Sequence, residues 1–145
     1  MMAFLCLALS GCQEAETSPE ERATALAADF ADAYFNYDFK KARRMATPES
    51  EKWLRFAASN VTQEDVDLLN AQEEDATVLA EAYERTSDST VVVTVSVRNF
   101  LSKDSLGSVG MMTDEAEFRL TTVQRGGDFL VRMEGLPRSG RQSRD

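Results

Sequence analysis

One stretch limits this chain more than any other. Residues 90–101 read Thr-Val-Val-Val-Thr-Val-Ser-Val-Arg-Asn-Phe-Leu. β-Branched side chains are stiff at χ1 and fit a pleated surface better than a helix. Val91, Val93, Val95 and Val97 fall on one side of such a strand, and Thr94, Ser96 and Arg98 on the other. A strand with one apolar face must sit in a sheet that something covers on that face only. The flanking sequence supplies the neighbours. Residues 76–85 form a candidate strand, with Ser87-Asp88-Ser89 as the turn into the central one. Residues 114–124 form a third and residues 128–136 a fourth. Gly126-Gly127 is the hairpin between those two, and Pro137 is the stop. Phe118, Leu120, Phe129, Val131 and Met133 extend the apolar face, and Glu117, Arg119, Arg132 and Glu134 the polar one.

Before residue 76 the apolar period is four, not two. Leu26, Phe30 and Tyr34 recur at helical spacing, with Ala23, Ala27 and Ala33 beside them. Ser18-Pro19-Glu20-Glu21 is a capping box with proline at the first helical position, and its acids suit the positive end of the helix dipole. No glycine occurs between Gly11 and Gly107, so the expected left-handed stop of this helix is Asn36. Asp38 caps a second helix over residues 39–46. Thr47-Pro48-Glu49 opens a third through Trp53, Leu54, Phe56 and Ala57. Thr62 to Asp65 starts a fourth through Val66 and Leu69, which runs out in Glu73-Glu74-Asp75.

Helices first and a four-stranded antiparallel meander second define an α+β domain over residues 19–136. The long first helix, the Asn36-Tyr37-Asp38 turn, a short helix, Thr-Pro-Glu, another helix and a meander resemble the nuclear transport factor two-like, or cystatin-like, superfamily. That resemblance implies N-terminal helices packed on a curved sheet that forms a cone. It also implies a pocket mouth near the end of the first helix, and dimers made through the sheet in many members. The superfamily includes ketosteroid isomerase and scytalone dehydratase as well as small envelope lipoproteins.

The N-terminus carries a second resemblance. Residues 1–9 are almost purely apolar and far too few to span a bilayer, which takes roughly 20. Leu9-Ser10-Gly11-Cys12 follows and is similar to the lipobox of bacterial lipoproteins, in which the cysteine thiol is diacylglyceryl-modified and the chain is cut before it. The pattern departs in one respect, because no Lys or Arg precedes the apolar run. The implied organisation is a signal peptide at 1–11, a lipidated tether at 12–18, the domain at 19–136 and a flexible tail at 137–145. Gln13 rather than Asp follows the anchor. By resemblance to enterobacterial sorting, this places the protein at the periplasmic face of the outer membrane rather than the inner.

Composition narrows the chemistry. The net charge of −9 argues against nucleic acid, whose affinity comes largely from Lys and Arg on phosphates. The chain has no histidine, which removes the commonest general base and metal ligand. With Cys6 in the leader and Cys12 lipidated, no thiol is left for catalysis, zinc or a disulfide. No metal or other cofactor is expected. Asp29, Asp32 and Asp38 are the carboxylates nearest the expected pocket mouth. The first two read as a solvated helix face and the third as a cap, so no catalytic residue is assigned and no enzymatic activity is expected.

Three surfaces remain. Tyr34, Tyr37, Trp53 and Tyr83 are candidate linings of a pocket for a small apolar ligand, or else ordinary packing. An isomerase- or dehydratase-like use of that pocket is the alternative function. Lys40, Lys41, Arg43, Arg44, Lys52 and Arg55 form a basic island that faces anionic lipid or an acidic partner, or is a solvated helix surface. Arg98, Arg119 and Arg132, facing Glu117 and Glu134, are an anion-binding face or cross-strand pairs. The same open face suits a second copy or an envelope protein. The sequence therefore reads as a membrane-anchored, non-enzymatic interaction or ligand-binding module.

Overall fold

A computed structural model describes residues 17–103 and 109–139. The Leu9–Cys12 motif and the end of the tail lie outside the described residues. Helices α1 (Pro19–Phe35), α2 (Phe39–Arg43), α3 (Glu51–Ser59) and α4 (Gln63–Ala71) precede strands β1 (Thr77–Ser87), β2 (Thr90–Ser102), β3 (Met111–Arg125) and β4 (Asp128–Arg132). The strands form one antiparallel sheet in the order β1-β2-β3-β4. This is the helices-then-meander α+β domain that the change of period implies.

Alternation sorts the faces as expected. Val91, Val93, Val95 and Val97 are fully buried, and Phe118, Leu120, Phe129, Val131 and Met133 join them under the helices. α1 presents Ala23, Ala27, Phe30 and Ala31, all fully buried, against this face. Small alanines let the helix lie close to the valines, and its aromatic residues fill the wider end. Two register slips bend β1, one between Ala80 and Ala82 and one between Arg85 and Ser87. In β2, Asn99 stands unpaired at φ 57° between the pairs Arg98–Glu115 and Phe100–Thr113, with the register unchanged across it. Asparagine tolerates this left-handed region better than most residues. Asn99 also uses its amide, donating to Glu74 O at 2.9 Å, while its carbonyl accepts from Gln72 Nε2 at 2.8 Å.

The helix starts follow the sequence. Ser18 and Glu21 form the capping box of α1, and Thr62 and Asp65 form that of α4. The Asp38 side chain accepts the Lys41 amide at the start of α2. The ends differ from expectation. Tyr37, not Asn36, takes the left-handed conformation, at φ 63°. Asn36 stays at φ −98° because its side chain is occupied. Its Oδ1 accepts the Ala76 amide at 2.9 Å, and its Nδ2 donates to Ala76 O at 3.2 Å and to Asp32 O at 2.8 Å. The end of α1 is thus stitched to the start of the sheet, and the reversal falls on the next residue. Asn36→Ala removes the stitch and is expected to cost about 2 kcal/mol, read as a lower thermal midpoint. An unchanged midpoint would mean that water replaces all three bonds.

α2 ends at Arg43, earlier than the expected 46, and β4 ends at Arg132, earlier than 136. One cause serves both. Residues 45–47 leave the helix to cover the outer edge of β4: Val131 N donates to Met45 O at 2.8 Å, and Thr47 N donates to Val131 O at 2.9 Å. Met133 N then donates to Ser50 Oγ at 2.7 Å and leaves the strand path. Thr47 makes no cap bond. Its buried hydroxyl pairs with Ser50 Oγ at 2.6 Å, and Pro48–Ser50 form a short 3-10 turn that leads into α3. An edge strand of a sheet exposes unpaired amides, and this segment closes one of the two edges. Leu136 packs against the core, and Ser139 is buried, so the chain beyond Pro137 starts against the domain.

Candidate functional site

Beneath the sheet, the wide end is occupied by rings. Phe35 lies 4.5 Å from Phe118 and 5.3 Å from Phe100, centroid to centroid. Tyr34 packs on Phe30, Phe35 and Phe39 at 5.0–5.9 Å. Tyr37 stands edge-on to Phe39 and donates its hydroxyl to Leu101 O at 2.7 Å. Burial pushes the Tyr34 phenol up, and burial together with the nearby Tyr34 and Asp65 does the same for Tyr37. Both rings stay neutral and serve as packing with a polar tip.

The four candidate pocket residues are not brought together. Tyr34 and Tyr37 share Phe39. Trp53 sits on α3 against Phe56, with Lys52 Nζ 5.4 Å from its ring centroid. Tyr83 lies on edge strand β1, opposite Val93, and is 54% exposed. None of the four lines either of the two grooves described next. Asp29 and Asp32 are exposed on α1.

The first groove, of 310 Å³, lies on the uncovered face of the sheet between β1 and β2. Thr77, Val78, Leu79, Glu81, Ser96, Arg98 and Glu115 line it. Leu79 is 65% exposed there, a large apolar residue amid charges. The expected pairing of arginines with Glu117 and Glu134 holds only in part. Arg98 pairs with Glu115 at 3.7 Å, Arg119 reaches Glu84 at 3.5 Å, and Arg132 meets Glu134 at 3.2 Å. Register decides this, since Arg98 stands opposite Glu115, and Arg119 opposite Thr94 rather than opposite an acid. Ser96 was expected in water but is buried, its hydroxyl donating to Glu115 Oε2 at 2.8 Å. Glu117 instead faces Glu81, whose carboxyl is raised above its ordinary value, first by the hydrogen bond with Glu117 and then by desolvation. Pairs this exposed each contribute only tenths of a kcal/mol up to about 1 kcal/mol. The face is mixed in charge, wet and centred on Leu79.

The second groove, of 480 Å³, lies at the end of α4 between Leu68, Gln72, Glu74, Asn99 and Met112. Beside it is an arrangement that sequence reasoning placed only as a cap. Asp65 is fully buried. Its Oδ1 accepts the Gly110 amide at 2.7 Å, and its Oδ2 accepts the Thr62 amide at 2.9 Å and the Lys103 ammonium. Desolvation pushes the carboxyl up, but the Gly110 amide, the Lys103 ammonium and the Thr62 donors outweigh it and hold it at about 2. Gly110 can come this close only without a side chain: a Cβ there would lie 2.9 Å from Ser102 O. Both oxygens are engaged, Oδ1 by Gly110 and Oδ2 by Thr62 and Lys103, so Asp65 joins α4 to the β2–β3 connection.

The basic island is on α2 and α3. Arg43 and Arg55 converge on Glu51 at 3.5 and 3.0 Å, while Lys40, Lys41 and Arg44 are exposed with no ion pair among the described residues. Glu49 turns away and holds Arg125 through two contacts at 3.1 and 2.6 Å. Among the described residues no cluster of three or more His, Cys, Asp or Glu could hold a metal ion, and no helix is long and apolar enough to cross a membrane.

No family model and no curated protein matches the sequence. Among solved structures, the chain is similar to one described as an Ntf2 like protein involved in plasmid conjugation, with 18% identity and a TM-score of 0.43. The match covers 84% of this chain and 49% of the other, so the chain spans about half the length of that structure.

Proposed function

We propose that the chain is an envelope lipoprotein, anchored by lipid on Cys12, whose α+β domain is a non-enzymatic module that binds a protein partner through the open face of its sheet. The observation that carries this reading is the contrast between the two sides of the sheet. The covered side is filled by ring-on-ring packing, whereas the open side presents Leu79 within a groove of mixed charge. A partly apolar centre rimmed by polar groups is the composition of a transient protein interface. A second copy of the chain is one partner that fits it. Leu9-Ser10-Gly11-Cys12 supports the anchor, and Gln13 supports the periplasmic face of the outer membrane as its site.

The test is native mass spectrometry of the full-length protein extracted from its own envelope in mild detergent. The expected species is a complex whose partner is lost in Leu79→Glu. Cys12→Ser should move the protein to the soluble envelope fraction and keep the partner. A bare chain carrying an extra mass of roughly a few hundred daltons, retained in Leu79→Glu, would move binding to the interior, as for a drug-sized ligand in a closed pocket.

A further inference from the structure

The basic island has a place in this arrangement. Between Phe39 and Arg55 the chain carries six cations and two carboxylates, against 16 cations and 25 carboxylates overall. Both local carboxylates are engaged, Glu49 by Arg125 and Glu51 by Arg43 and Arg55. Lys40, Lys41, Arg44 and Lys52 are left exposed. Beside them Phe56 is 37% exposed and stands edge-on to Trp53, over which Lys52 rests. Cations interleaved with exposed or half-exposed aromatic rings match the headgroup region of a bilayer, where phosphates meet the acyl boundary. The island lies on the helical side of the domain, since α3 packs on α2 and α2 on α1, while the open sheet face is on the other side of β2 and β3.

We propose that the α2–α3 surface docks on anionic lipid headgroups and so turns the open sheet face away from the membrane. The proposal rests on the lipid anchor for the membrane being the neighbour. Residues 12–17 span at most about 20 Å when extended, so the domain is held at the surface. Screening over about 8 Å at physiological salt makes that surface respond to the nearest charges rather than to the net −9. Cosedimentation with vesicles tests docking separately from anchoring. The full chain in the Cys12→Ser background is compared with the same chain carrying Lys40→Gln, Lys41→Gln, Arg44→Gln and Lys52→Gln. Any leader contribution is then common to both. On phosphatidylglycerol–phosphatidylcholine vesicles, the four substitutions are expected to weaken binding roughly a thousandfold. The difference should vanish in high salt and on pure phosphatidylcholine. Equal binding by the two chains, or no binding by the first, would overturn docking whatever the fractionation of the Cys12 protein shows. Preferential binding of the first chain to soluble polyglutamate over the vesicles would overturn it in favour of an acidic partner.

Discussion

Asp65→Asn is expected to destabilise the domain by about 3 kcal/mol at neutral pH, a large share of the 5–15 kcal/mol that typical domains possess. The substitution keeps the shape and removes the charge. One of the two oxygens becomes an NH₂ group, which then faces an amide or ammonium donor, because Gly110 N, Thr62 N and Lys103 Nζ all point at this carboxylate. Lys103, only 13% exposed at its side chain, loses its counter-charge in a site with little water to replace it. The Thr62 bond that completes the capping box of α4 ends on Oδ2 and the Gly110 bond to the β2–β3 connection on Oδ1, so one of the two is lost whichever oxygen is replaced. Urea unfolding at pH 7 measures the effect. An unchanged midpoint would mean that the joint is solvated and contributes nothing.

The same residue sets a pH window. Its carboxyl falls from an ordinary 3.8 to about 2 on folding. A depressed carboxyl stabilises the folded state above its unfolded value, and this contribution disappears as pH falls through the folded value. The parent should therefore lose about 2 kcal/mol from this group between pH 4 and pH 2, and Asp65→Asn should lose none of it. The Glu20, Glu49 and Glu51 carboxyls, drawn down by Arg85, Arg125 and Arg55, titrate in both proteins and cancel in the difference.

Asp65 also marks where sequence reading ends. Thr62-Gln-Glu-Asp65 announces a helix start in four letters, because a capping box is local. The Lys103 and Gly110 partners lie 38 and 45 residues away, and only the fold brings them there. The valine alternation in β2 was legible for the same local reason, and with it the covered face. The exit of α1 was legible only as to place. Nothing in Asn36-Tyr37-Asp38 shows that Asn36 will be occupied by Ala76, which forces the turn onto a tyrosine. The pairing of Arg98 with Glu115 rather than Glu117 depends on register across β2 and β3, which alternation does not fix by itself. The aromatic residues from Tyr34 to Phe39 were legible as a cluster. Whether they surround a hollow or fill it depends on Phe100 and Phe118, which the sheet brings across from distant strands.

That question has a direct test in Phe35→Ala, expected to cost about 3–5 kcal/mol. Phe35 is 5% exposed and touches Phe100, Phe118 and Tyr34, three rings too stiff to fill the space its own ring would leave. The substitution should leave an apolar hole on the order of 100 Å³, close to the size that stays dry and admits benzene. Benzene should then raise the thermal midpoint of Phe35→Ala and leave that of the parent unchanged, because a ligand stabilises only a state that holds a site for it. Phe35→Leu, which keeps most of the volume, should lose less stability and respond less to benzene. If benzene instead stabilises the parent as strongly as the variant, the wide end of the sheet already contains a cavity. Tyr34 and Tyr37 would then border it, and the functional reading would pass from the open face around Leu79 to a small apolar ligand held inside.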